Sequence, residues 1–159
     1  MSTFAKGTEV PAERTRVQLE KMLRVAGATS VVVGWQVLAV EIGFEAKGRR
    51  LRFTLTIPTR KDRKITHDAR GWVRSQTQQT RVLDAEERRL WRALLLVIRA
   101  KLEAVESGIE TFDQAFLANI VVPGPDGVTT VGEYVAPAPA SAYARGAAMP
   151  PLLGAGGAP

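Results

Sequence analysis

The hydrophobic and polar positions in the first third of the chain predict an amphipathic helix. Charged residues separate apolar residues that recur at helical spacing over residues 12–26. The apolar positions are Leu19, Met22, Leu23 and Ala26. Pro11 suits a first helical turn, and Gly27 follows the last apolar position as a stop signal. We therefore predict that the fold begins with this helix.

The next three runs have the patterns of β-strands. Residues 29–35 form a β-branched run without helical period, which predicts a buried strand. Apolar and polar positions alternate in residues 37–46 and 50–57, which predicts two half-buried antiparallel strands. Their apolar positions are Val40, Ile42, Phe44, Ala46, Leu51, Phe53, Leu55 and Ile57. Lys47-Gly48 is a turn signal, so the last two strands should pair as a hairpin.

The remaining chain predicts a long loop, two helices and a tail. Residues 59–80 have no apolar period and form a loop that is long for a compact domain. Residues 84–106 have the broad apolar face of a long helix, and residues 94–98 are apolar nearly all round, which predicts burial centrally or at a subunit interface. Thr111 and Gln114 have capping-box spacing and predict a short helix through Asn119.

These elements define an α+β fold: a helix, a three-stranded antiparallel sheet, a long helix, a short C-terminal helix and a flexible tail. We predict a mobile lead-in over residues 1–10, a single domain over residues 11–135 and a low-complexity Ala/Pro/Gly tail over residues 136–159. The apolar cluster Met149–Leu153 lies in this tail. It is inert, docks on its own domain or forms a short partner-binding motif, and we favour the first two.

The charge of the chain is concentrated in its centre. The whole sequence has 22 basic and 16 acidic residues, a net charge of +6. Residues 47–81 contain eleven basic and two acidic residues, so this segment carries +9 and the remainder −3. Such asymmetry is typical of a polyanion-binding protein. The alternative is a solvated arginine-rich surface encoded by a GC-rich genome, although codon bias alone would scatter arginine evenly.

Arginines and lysines of the predicted hairpin and loop are the candidate nucleic-acid-binding residues. They neutralise phosphates without reading base sequence. Together with one tryptophan the set is Lys47, Arg49, Arg50, Arg52, Arg60, Lys61, Arg63, Lys64, Arg70, Trp72 and Arg74. Trp72 either stacks on a base or pins the loop to the core, and we favour the second role. Trp35 is a further candidate for stacking, whereas the alternation places Phe53 on the inner face.

The sequence contains little that indicates catalysis. It has no cysteine, a single histidine, His67, and no glycine-rich phosphate loop. Glu103 and Glu106 share a helix face and could hold a divalent cation with help, but they lie near Arg99 and Lys101 and fit a solvated face better. We therefore predict no enzymatic activity, no catalytic residues, no metal site and no cofactor.

The apolar stretches are short. No run of 18 apolar residues is present, and the N-terminus has no apolar core of signal-peptide length. These features predict a cytoplasmic protein that does not bind membranes.

Several stretches resemble an uncharacterised protein family carried by phages and prophages. They are Leu90–Ile109, Thr111–Ile120, Thr130–Glu133 and Met149–Leu153. The resemblance implies a phage origin, the host cytoplasm and a role in DNA metabolism, but it brings no activity and no site residue.

The element order of helix, three antiparallel strands and long helix is similar to double-stranded-RNA-binding domains and to the core of Rad52-like annealing proteins. The match to the RNA binders is poor at the second helix. Its start carries Asp84, Glu86 and Glu87, where those domains use basic residues.

Two functional hypotheses follow. The first is a sequence-independent nucleic-acid-binding protein of phage or prophage origin, binding DNA in preference to RNA and accessory to DNA replication or recombination. The alternative is a phage interaction module that targets a host or phage protein through the apolar helix around residues 94–98 or through the tail. A homo-oligomer stays open, because acids of a second subunit could pair with the arginine-lined sheet face.

Overall fold

The computed structural model describes residues 11–125 and 127–146. It confirms the predicted α+β class, with a three-stranded antiparallel sheet, a long helix and a short C-terminal helix. In chain order the elements are α1 (Ala12–Val25), β1 (Ser30–Trp35), β2 (Ala39–Ala46), β3 (Arg49–Thr56), α2 (Arg63–Thr66), α3 (Gln76–Glu106), α4 (Phe112–Phe116), a 3-10 helix (Leu117–Asn119), β4 (Val121–Gly124), β5 (Gly127–Thr130), α5 (Val131–Val135) and α6 (Pro137–Ala144).

The hairpin of β2 and β3 forms as predicted. Its two turn residues, Lys47 and Gly48, have φ values of 52° and 70°, the left-handed conformation that a tight two-residue hairpin turn requires. The register pairs inward residues across the two strands: Val40 with Leu55, Ile42 with Phe53, and Phe44 with Leu51. All six are buried, so the alternation identified the core face of this hairpin correctly.

Strand β1 is not the buried strand that its composition predicts. It forms the edge of the sheet, in the order β1-β2-β3, and the side chain of Val32 on the outer face is 62% exposed. Val31 and Val33 are half-buried and pack on the core from the inner face. The run of three valines carries no polar residue that would mark the outer face, so the pattern could not distinguish an edge strand from a central one.

Helices α1 and α3 cover the inner face of the sheet. Helix α1 buries Leu19 and Leu23, and α3 buries Trp91 and Ile98. The ring of Phe116, from α4, meets the stacked rings of Phe44 and Phe53 edge-on, at centroid distances of 6.3 and 6.4 Å. This edge-to-face geometry is favourable for aromatic rings and closes the core beneath the hairpin.

Helix α3 begins at Gln76, eight residues before the predicted start at Asp84. Its first turns come from the polar run that the sequence assigned to the loop. A capping box stabilises this start: the Ser75 hydroxyl accepts from the Gln78 N–H, and the Gln78 side chain accepts from the Ser75 N–H. These turns are solvent-exposed, so they show no apolar period and hydrophobic patterning could not reveal them.

The predicted tail begins with a helix. Residues 137–144 form α6, with Pro137 at its first turn and alanines that favour helix. The predicted lead-in over residues 1–10 and the apolar cluster Met149–Leu153 lie outside the described residues.

The capping box gives a test of where α3 begins. Ser75→Ala removes one of its two hydrogen bonds and should lower the free energy of unfolding by about 1 kcal/mol, measured by urea denaturation. The control Gln76→Ala changes the neighbouring exposed position and should have little effect. An unchanged stability for Ser75→Ala would mean that the helix begins later, near Asp84.

Candidate nucleic-acid interface

The candidate binding residues lie in two groups, one at each end of strand β3. Lys47 and Arg49 lie at the tip of the β2–β3 hairpin, and Arg50 and Arg52 follow along β3. The other candidates, in residues 60–74, follow the opposite end of β3. An eight-residue strand separates the two ends by about 25 Å. The central basic segment is therefore not one continuous surface in the fold.

Acidic residues from outside the basic segment neutralise the arginines of the hairpin. A nitrogen of the Arg49 guanidinium lies 3.2 Å from a carboxylate oxygen of Asp113. The corresponding distance from Arg50 to Glu45 is 3.5 Å. Exposed pairs of this kind add little to stability, but they cancel much of the local positive potential. At the hairpin, therefore, acidic residues from other parts of the chain offset part of the positive charge of residues 47–81.

Arg52 has a structural role. Its guanidinium donates to a Glu133 carboxylate oxygen at 2.8 Å, which ties β3 to the start of α5. The same Glu133 oxygen accepts from the Thr130 N–H at 2.8 Å and from the Thr129 hydroxyl at 3.0 Å. These bonds lower the pKa of Glu133 from 4.5 to about 2, with the Thr130 N–H as the largest cause and Arg52 as a smaller one.

Arg74 also serves the fold rather than a free surface. Its guanidinium donates to the carbonyl oxygens of Lys64, Ile65 and His67, and so binds the C-terminal turn of α2. These carbonyls would otherwise lack helical partners, and arginine is well suited to satisfy them. Arg74 is therefore a positioning residue of the loop.

Lys64 lies beside a carboxylate of α3. Its ammonium is 3.8 Å from a carboxylate oxygen of Glu86, which also accepts hydrogen bonds from two guanidinium nitrogens of Arg89. The pKa of Glu86 is lowered chiefly by the Arg89 hydrogen bond, while partial burial opposes this shift. Lys64 is the loop cation whose charge is most directly compensated.

The two aspartates within the basic segment bind backbone groups. Asp62 accepts from the Thr59 N–H at 2.5 Å. One oxygen of Asp68 accepts from the N–H groups of both Arg70 and Trp72 at 2.9 Å. These are the local turns that aspartate favours, and they give residues 59–75 a definite conformation despite the lack of an apolar period.

The other candidate cations of residues 60–74, together with Trp72 and Arg81, form what we call the basic loop surface, which is defined by Arg60, Lys61, Arg63, Arg70, Trp72 and Arg81. All six side chains are solvent-exposed. Over residues 11–125 and 127–146 none of its five cations is within 4.0 Å of a carboxylate; Arg60 donates instead to the Thr80 hydroxyl at 2.7 Å. Positive charge is therefore least compensated at this end of the sheet.

Trp72 and Arg81 change the sequence-based description of this surface. The side chain of Trp72 is 72% exposed, so the favoured prediction that it pins the loop to the core is wrong. Arg81 was not a candidate, because residues 59–80 were assigned to a loop that ended before it. The early start of α3 brings Arg81 to the groove that Trp72 lines. The capping-box spacing of Ser75 and Gln78 was the signal that could have found it.

The other two aromatic candidates differ in exposure. Phe53 is buried, as predicted. Trp35 is 59% exposed, although its ring centroid lies 6.3 Å from that of the buried Trp91.

The apolar face of α3 is occupied by the protein itself. Leu94, Leu95 and Ile98 pack in the core, which confirms central burial of this stretch, while Val97 faces solvent. This face is therefore closed to an external partner in the described fold.

Within the described part of the chain, no three His, Asp or Glu side chains lie together as a metal site would require. No described helix is both long enough and apolar enough to cross a membrane. No protein-family model, curated protein or solved structure significantly matches the chain. The phage-family resemblance and the two likenesses in element order stay predictions.

The hydrogen bonds to Glu133 predict that the stability of the fold depends on pH. Because folding lowers the pKa of Glu133, its contribution to stability is present above pH 4.5 and lost as the pH falls towards 2. Glu133→Gln should therefore make the free energy of unfolding less sensitive to pH across this window, measured by urea denaturation at successive pH values. The effect should be small, since the side chain is about half exposed.

The matched control is Glu110→Gln, which removes an exposed carboxylate from the loop after α3. It should keep the wild-type acid dependence. Equal acid dependence of Glu133→Gln and wild type would contradict the assigned hydrogen bonds.

Proposed function

We propose that this chain is a sequence-independent nucleic-acid-binding protein whose basic loop surface contacts phosphates. DNA is the expected ligand, in an accessory role in replication or recombination. One observation carries the proposal: five exposed cations, Arg60, Lys61, Arg63, Arg70 and Arg81, stand apart from carboxylates of the described chain, whereas the hairpin arginines are paired with acids.

The chemistry of phosphate binding favours this end of the sheet. A cation that already pairs with a carboxylate must give up that interaction before it can bind a phosphate. An unpaired, solvated cation has no such cost, and it releases condensed counterions from the nucleic acid when it binds. Because the loop is held by Asp62, Asp68 and Arg74, little further ordering is needed on binding.

The residue types of this surface support binding without base-sequence recognition. Direct readout needs side chains that are fixed against base edges in a groove. Here the cations extend from a loop and from exposed helix positions, which suits contacts to the phosphate backbone. The affinity should therefore depend on ionic strength much more than on base sequence.

A matched pair of charge variants tests the proposal. The first combines Lys61→Gln, Arg63→Gln and Arg70→Gln on the basic loop surface. The control combines Lys47→Gln, Arg49→Gln and Arg50→Gln at the hairpin, with the same residue types and the same loss of charge. Fluorescence anisotropy with labelled DNA, at several salt concentrations, measures the affinity of each.

The loop variant should bind DNA much more weakly than the control. The slope of log K against log salt should also fall by about 2, since each lost phosphate contact removes roughly 0.7 to 0.9 of a unit. Equal losses in both variants would mean that net charge alone drives binding and that the site is wrong. Absence of DNA binding by the wild type at low salt would refute the function.

A further inference from the structure

An apolar platform lies within the basic loop surface. The side chains of Trp72 and Val73 are 72% and 73% exposed. Both line a groove of about 290 Å³ between the loop and the first turns of α3, and Arg81 and Val82 line it from the helix. Two neighbouring exposed apolar side chains beside a groove form a small apolar patch next to the cations of the basic loop surface, and a ligand with both apolar and anionic groups would cover it.

The loop holds Trp72 in this outward position. The Asp68 carboxylate accepts from the Trp72 N–H at 2.9 Å, and the Trp72 carbonyl accepts from the Asp68 N–H at 2.9 Å. Gly71 has a φ of 86°, which a residue with a side chain adopts only with strain. His67 and Val73 form an antiparallel bridge across the base of the turn. The loop backbone is therefore fixed on both sides of the indole.

A single-stranded nucleic acid has groups that complement both the cations and the exposed indole of this surface. Its phosphates match the cations, and its unpaired bases offer flat faces that stack on an indole. A duplex matches only the cations, because its base faces are stacked on one another. Arg81 lines the same groove as Trp72, so a phosphate next to a base stacked on the indole would have a cation within the groove.

We infer that Trp72 is a stacking platform for an unpaired base and that the chain binds single strands in preference to duplexes. This inference rests on the proposed function and specifies the form of nucleic acid that the site takes. The carboxylate of Asp68 also lines the groove. One of its oxygens accepts from the N–H groups of Arg70 and Trp72, and these backbone dipoles offset part of its charge.

An abasic oligonucleotide separates stacking from phosphate binding. Anisotropy is measured with oligo-dT of about 15 nucleotides, an abasic strand of equal length and a duplex, for wild type, Trp72→Ala and Trp72→Phe. Oligo-U replaces oligo-dT in a parallel arm that compares RNA with DNA. Ile109→Ala, at an exposed apolar position in the loop between α3 and α4, is the control.

Trp72→Ala should weaken oligo-dT binding by roughly 5- to 100-fold, as expected for the loss of one stacked base. It should leave binding to the abasic strand unchanged, while Trp72→Phe should keep most of the wild-type affinity. In a Trp35→Phe background, oligo-dT should quench the fluorescence of Trp72, because the other tryptophan, Trp91, is buried.

Two results would overturn the inference while the proposed function stands. In the first, Trp72→Ala binds oligo-dT as tightly as the wild type does, while the variant with Lys61, Arg63 and Arg70 replaced by Gln no longer binds. The other is duplex affinity equal to or above that for single strands. If the wild type binds none of the three nucleic acids, the proposed function fails and the inference fails with it.

Discussion

The register of the β2–β3 hairpin is the constraint on which the rest of the structure depends. The left-handed turn at Lys47 and Gly48 fixes it, and every buried residue of both strands then faces α1 and α3. A slip of one residue would turn Phe53 outward and Arg52 into the core. The same register therefore places Arg50 and Arg52 on the outer face, where Glu45 of β2 and Glu133 of α5 reach them.

The arrangement of carboxylates decides which cations stay available to a ligand. Asp113 and Glu133 come from segments that fold back beside β3, and they pair with Arg49 and Arg52. Asp62 and Asp68 instead accept bonds from backbone N–H groups. Both uses stabilise the fold, but only the first neutralises basic side chains. The cations of the basic loop surface consequently have no carboxylate within 4.0 Å in the described chain, although the charge pattern of the sequence did not distinguish them from the hairpin arginines.

Sequence patterns predicted the core residues, whose burial is periodic along the chain. They did not predict the side-chain interactions between residues far apart in sequence. The alternation in β2 and β3 identified the core residues of the hairpin, and the apolar face of α1 identified Leu19 and Leu23, because one face of each element is buried; Ala26, predicted on the same face, follows the end of α1 and is exposed. The pairing of Arg52 with Glu133 joins residues 81 positions apart, so no local pattern could reveal it. The exposure of Trp72 depends on hydrogen bonds between the Asp68 carboxylate and backbone N–H groups. Every residue except proline has such an N–H group, so the sequence does not show which of them Asp68 binds.

The loop shows how a segment without an apolar core can still present a defined surface. Its order comes from hydrogen bonds to Asp62, Asp68 and Arg74, and Ile65 is its buried apolar anchor. Because polar groups and a single aliphatic side chain hold the backbone, the aromatic residue is not needed for packing. Trp72 is thus left outside the core by the way the loop folds, which is the condition for an indole to contact a ligand.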